Sequence, residues 1–361
     1  MKRRRLVFWA GTAIALVLVL FILAFEGLED FDFSEYRTRP LSFSFKDMSV
    51  VGTLHLPEAE TSAVVLLVHG DGPADRYSGG GYMPMISALL DSGIAVYSWD
   101  KPGIGQSSGD WLAFSMTDRA GLATAALEAV RAQPELARAP TGFVGLSQGG
   151  WVVPILAKEP AQADFFVIIG GAVNWLRQGA YLTRRRLERE GASPEDIDAA
   201  LQATAAGNKH LLSEGYSYQT YLSDTRSGTP MSEARFGFVL KNALADSGKD
   251  LVQVKAPVLT LHGSDDLNVD PDYNSDRYRQ ILQDRNVANS SLVIADGTHA
   301  LLRASLFNQQ TEGDMPAWSK LAFAILGREA YAPGALDILS NWINDQASAG
   351  SRQSASADRS N

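Results

Sequence analysis

"FVGLSQGGWVVP", Phe143–Pro154, sets a serine between two glycines directly after a run that reads as the end of a buried strand. A nucleophile that must stand clear of a sheet can sit on a tight strand-to-helix turn, where flanking side chains would collide with neighbouring backbone. Gly145 and Gly149 remove those collisions. Ser147 is then exposed at the C-terminal end of the strand, and the backbone N–H of Gln148, at the start of the next helix, is available to an oxyanion. G-x-S-x-G also arises by chance, so its weight depends on what surrounds it.

The surroundings alternate. "LSFSF" and "SVVGTLHLP" read as an opening hairpin, and "SAVVLLVHG", "GIAVYSWD", "TGFVGLS", "DFFVIIGG", "APVLTLHG" and "SSLVIAD" as strands. Helical stretches lie between them near 83–92, 116–133, 148–158 and 273–285. Continuous Val/Ile/Leu runs separated by helices predict an α/β fold with a mostly parallel sheet covered on both faces. From about Asn174 to Asp250 the alternation stops, and helical patterns such as "LRQGAYLTRRRLEREG" and "IDAALQATAAG" take over, the second capped by Ser193-Pro194-Glu195-Asp196. An insertion of this length between core strands is most simply a helical lid. Within it, Arg184–Arg186 read as a solvated face, and Trp175, Tyr181, Tyr216, Tyr218 and Tyr221 more as lid core than as substrate contacts.

A serine hydroxyl needs a base, and there are five histidines. His55 falls in the hairpin, His210 in the insertion, and His69 and His262 each precede a glycine at a strand end. His299, in "ADGTHALL" after the last strand, is the candidate a loop can bring over the sheet edge. "VLTLHGSDDLNVD" offers Asp265 and Asp266 as an orienting carboxylate, with Asp266 favoured three residues after Gly263. "VHGDGPADR" follows a strand and supplies a second oxyanion donor, the N–H of Asp71 or of Gly72. Asp266, Asn268 and Asp270 share the opening spacing of a calcium loop, but Pro271 and Arg277 stand where glycine and glutamate are required. Gly103, Gly105 and Gly109 do not form a dinucleotide fingerprint.

In order along the chain, "HGDG", "DKPGIGQSSG", "GLSQGG", "HGSDDLNV" and "DGTH" resemble the α/β-hydrolase superfamily, and within it lid-bearing bacterial esterases related to dienelactone hydrolases and serine aminopeptidase-like hydrolases. The resemblance spans about residues 41–347, with Pro102 a small departure. It implies a Ser147–His299–Asp266 triad, no cofactor, no metal and a small ester or acyl substrate. A peptidase or an acyltransferase would use the same triad, and a non-catalytic anchored binding protein would keep the fold without turnover.

The ends are made of different material. After "MKRRR", Leu6–Phe25 carries no charge and is long enough, at roughly 30 Å as a helix, to cross a bilayer. Residues 1–26 are thus expected to be a membrane anchor, with the body periplasmic or extracellular; a cleaved signal, releasing a secreted protein, is the alternative. Residues 27–173 and 251–347 form the expected core, 174–250 the lid, and 348–361 a low-complexity tail expected to be disordered. Without residues 1–26, 28 Lys and Arg face 40 Asp and Glu, net −12, which repels nucleic acid. Absence of cysteine excludes disulfides, thiolate nucleophiles and Cys-ligated zinc.

Overall fold

The computed structural model describes residues 26–158, 163–225, 229–283, 288–310 and 312–358. Eight strands form one sheet: β1 (Arg37–Phe45), β2 (Met48–Leu56), β3 (Ala63–Val68), β4 (Ile94–Trp99), β5 (Thr141–Leu146), β6 (Phe165–Ile169), β7 (Val258–Gly263) and β8 (Asn289–Ile294), in the order β1-β2-β4-β3-β5-β6-β7-β8. β2 runs antiparallel to β1 and β4, and every other pairing is parallel. β3 through β7 are mostly apolar and buried without alternation because both their faces are covered. Helices Met116–Arg131, Val153–Ala157 and Pro271–Leu282 pack one face, and Met83–Asp91 with Ala335–Asp358 the other.

From β3 the chain crosses to β4 on one side and then to β5 on the other. The loops after β3 and β5 therefore open on the switch point where ligands bind in such sheets. Among the described residues between β6 and β7 lie five helices, Trp175–Arg189, Pro194–Leu211, Tyr218–Asp224, Glu233–Asn242 and Ser247–Leu251, in the segment read as an insertion. Ser193 caps the second through the N–H of Asp196, and Pro194 fills its first turn, as that sequence predicts.

The expected anchor, residues 1–25, lies outside the described residues; among the described residues no helix is long and apolar enough to cross a membrane. At the other end the helix Ala335–Asp358 runs through residue 348, where disorder was expected. Leu339, Ile343 and Ala347 bury its first turns against the sheet, and extending a helix already nucleated costs little for an Ala-, Ser- and Arg-bearing stretch without proline.

Candidate active site

Ser147 leaves β5 with φ of 50°, a left-handed value that a serine adopts only where the surroundings impose it. Those surroundings are crowded. A Cβ on Gly145 would stand 2.6 Å from Val153 Cγ2 and 2.8 Å from the Gly149 carbonyl; one on Gly149 would strike the Val68 carbonyl. Glycine at both positions is a packing requirement of the turn. The following residues, Ser147–Trp151, wind as a 3₁₀ turn before the helix Val153–Ala157, so the tight arc is longer than a simple strand-to-helix junction.

His299 and Asp266 arrive from the loops after β8 and β7. His299 Nε2 is 2.8 Å from Ser147 Oγ, and His299 Nδ1 is 2.8 Å from Asp266 Oδ2. Asp266 is held independently: its Oδ1 accepts the N–H groups of Asn268 (2.7 Å) and Val269 (2.9 Å). The Asp266 side chain is fully buried while that of His299 is 20% exposed. Burial works against the imidazolium, but the charge and hydrogen bond of Asp266 outweigh it, and the net direction of the His299 pKa is upward from 6.5. Two glycines make room for this histidine. A Cβ at Gly170, where β6 ends with φ of 60°, would stand 3.1 Å from the His299 ring, and one at Gly263 would strike the Gly297 and Thr298 carbonyls.

The other sequence candidates sort clearly. Asp265 is exposed and bonds Ser264. His55 packs on Phe33 and Tyr77; His69 Nε2 lies 2.5 Å from the Trp99 carbonyl; His262 is buried on Tyr278; His210 is exposed in the insertion. Asp270 caps Pro271–Leu282, so the spacing that mimicked a calcium loop serves a base partner and a helix cap. The glycine loop after β4 wraps Asp100, which accepts from Arg76 and from the Gln106 N–H. Arg184, Arg185 and Arg186 pair with Asp198, Glu188 and Glu190 on half-exposed faces.

Gly70 lies against the serine: a Cβ there would meet Ser147 Cβ at 3.2 Å. Neither the Asp71 N–H nor the Gly72 N–H is taken by a backbone acceptor among the described residues. The insertion seats on this rim. Arg235 grips Asp71 with two hydrogen bonds (2.8 and 2.5 Å), Lys241 Nζ donates to the Ala113 carbonyl, and Trp175 stacks on Trp151 at 4.8 Å. Tyr181 donates to the Asp266 carbonyl, while Tyr216, Tyr218 and Tyr221 cluster around Phe236 within the insertion. Arg119 and Lys101, unremarked in the sequence, donate to carbonyls of His69, Gly70 and Gly72. No local pattern flags them, because their acceptors are backbone atoms far along the chain.

This sheet, with a serine on a strained turn at its centre, defines a serine hydrolase of the α/β-hydrolase fold. The family model for serine aminopeptidase S33 matches residues 59–303, and the chain belongs to that family. Among solved structures it is similar to an esterase from Pyrococcus furiosus, at 16% identity and TM-score 0.50, covering 82% of this chain and 92% of that one. It is similar also to Est1E from Butyrivibrio proteoclasticus with ferulic acid bound, at 13% identity and TM-score 0.50, covering 84% and 96%. At these identities the likeness is one of fold.

Proposed function

We propose that this hydrolase cleaves carboxylic esters through an acyl-enzyme on Ser147. Ser147 Oγ attacks the ester carbonyl carbon as His299 Nε2 takes its proton, and Asp266 holds the imidazolium so formed. The carbonyl electron pair moves onto oxygen, where the N–H of Gln148 and that of Asp71, or of Gly72, receive it. Collapse expels the alcohol, protonated by His299, and water repeats the sequence to release the acid. The observation that carries this reading is the unbroken line Asp266–His299–Ser147, both links 2.8 Å.

An aminopeptidase must neutralise a free α-ammonium beside the scissile bond. The carboxylate on the loop touching Ser147 is Asp71, and Arg235 already occupies both its oxygens, which favours an uncharged ester over an aminoacyl amide. Turnover of a panel of p-nitrophenyl esters, thioesters and aminoacyl p-nitroanilides tests the choice: ester turnover abolished by Ser147→Ala is expected, and preferential anilide turnover would overturn it. By the same proposal, residues 6–25 hold the enzyme on a membrane with its body periplasmic or extracellular. Recovery of the full chain in the soluble fraction, uncleaved, would refute that part.

A further inference from the structure

Lys101 and Arg119 stand beside the loop His69–Gly72, and neither forms an ion pair among the described residues. Lys101 is 4% exposed. A buried cation without a counter-ion is costly, so what it binds instead carries information. Lys101 Nζ donates to the carbonyls of Gly70 and Gly72, each at 2.6 Å. Arg119 Nη2 donates to the His69 carbonyl, and its Nη1 to Gln148 Oε1 at 2.5 Å.

The consequence follows from peptide geometry. Across a trans peptide the C=O and N–H point to opposite sides, and the described residues contain no cis bond. Pinning the Gly70 carbonyl on Lys101 turns the Asp71 N–H away from Lys101, and pinning the His69 carbonyl on Arg119 does the same for the Gly70 N–H. The second Lys101 bond aims no N–H, since Pro73 follows Gly72; it fixes the far end of the loop. The guanidinium groups of Arg119 and Arg235 face the Asp71 carboxylate here, while burial pushes the Lys101 pKa well below 10.5 and drives that of His69 down to about 3, so that ring is neutral. Negative charge developing on a substrate oxygen therefore meets the positive field of these two arginines.

We propose that Lys101 and Arg119 are positioning residues for transition-state stabilisation, clamping the His69, Gly70 and Gly72 carbonyls of one loop so that the Asp71 N–H, beside that of Gln148, is aimed at the forming oxyanion. The proposal rests on Ser147 being the nucleophile. Its distinguishing signature is a loss confined to the charged transition state, because Lys101 and Arg119 act on the hole rather than on ground-state binding.

The test uses the full chain with Lys101→Met, a p-nitrophenyl ester and an aryl trifluoromethyl ketone, which adds reversibly to the serine as a hemiketal oxyanion. Removing one oxyanion donor costs on the order of 100-fold in kcat, and misaiming one should cost about 30-fold or more. The expected result is that fall in kcat at unchanged KM, with ketone affinity weakened by the same factor and an unchanged far-UV spectrum. Three results would overturn the proposal in a folded variant: kcat within threefold of the parent, a kcat loss without loss of ketone affinity, or a rise in KM alone. Where Lys101→Met does not fold, Lys101→Gln and Arg119→Lys read the same split. Ser147→Ala separates the two levels: full turnover in that variant removes the reading of the site itself, whereas a dead Ser147→Ala beside a fully active Lys101→Met removes only the clamp.

Discussion

Replacing Asp266 by asparagine isolates the orienting role of its carboxylate, because the change is nearly isosteric and one half of the side chain keeps its work. The amide oxygen can still accept the N–H groups of Asn268 and Val269, as Oδ1 does now. The amide NH₂ then replaces Oδ2 at 2.8 Å from His299 Nδ1 and must donate to it. That bond fixes the tautomer with its proton on Nε2, the nitrogen facing Ser147 Oγ, which can no longer accept the serine proton. Loss of kcat by about 10,000-fold is expected, ~5 kcal/mol of barrier, with KM little changed. The pH profile gives a second reading. Free His299 must be neutral to act as base, and its pKa lies above 6.5 because Asp266 outweighs burial, so kcat/KM rises with pH through a limb above that value. In Asp266→Asn the raising influences vanish and the limb moves to lower pH. The same shift has a stability sign: a raised folded-state pKa stabilises the fold below the unfolded value and loses that contribution as pH rises through the folded one, so the variant's melting deficit is larger at pH 6 than at pH 9. A folded variant that keeps more than a tenth of parental kcat, or an unmoved limb, would refute the reasoning.

Four further outcomes follow from the packing. Gly149→Ala drives a Cβ into the Val68 carbonyl and should cost at least ~2 kcal/mol in chemical denaturation, or abolish soluble expression; an unchanged midpoint would contradict the elbow geometry. Arg76→Met leaves Asp100, whose side chain is 3% exposed, without its bidentate partner, and a loss of about 3–5 kcal/mol should appear by urea titration. Tyr181→Phe removes one donor to the Asp266 carbonyl and should lower stability by about 1 kcal/mol, with kcat changed by less than a few-fold. Arg235→Ala releases the helix Glu233–Asn242 from Asp71, and limited proteolysis should cut the insertion faster than in the parent while the core fragment persists.

The strands were legible because burial on both faces leaves continuous Val, Ile and Leu, a pattern that survives in "AVVLLV" or "FFVII" without knowledge of their neighbours. Ser147, Asp266 and His299 could be named for a related reason. Each sits at the C-terminal end of a strand or in the loop after it, so strand order along the chain already placed them at one edge of the sheet. The choice between Asp71 and Gly72 could not be made from sequence, because it turns on how each peptide of the loop is held, and the contact of Lys101 with the Gly70 carbonyl joins residues 31 positions apart. Lys101, Arg119 and Arg235 were equally hidden. Arg235 and Asp71 are 164 positions apart, and nothing local distinguishes an arginine that holds a loop from one that is solvated, as Arg184–Arg186 show. Gly170 was read only as the end of "DFFVIIGG"; its purpose appears once the ring of His299, 129 residues on, is set against it. The C-terminal helix was missed because low complexity says nothing about whether preceding turns are already anchored.

Whether Ser147 is an activated nucleophile is read by peptide mass mapping of the full chain after reaction with a fluorophosphonate, run beside Ser147→Ala. One adduct is expected, on Ser147, formed faster as pH rises through the His299 limb and absent from the variant. A folded protein that takes no adduct, or takes it on another serine, would contradict Ser147 as the nucleophile.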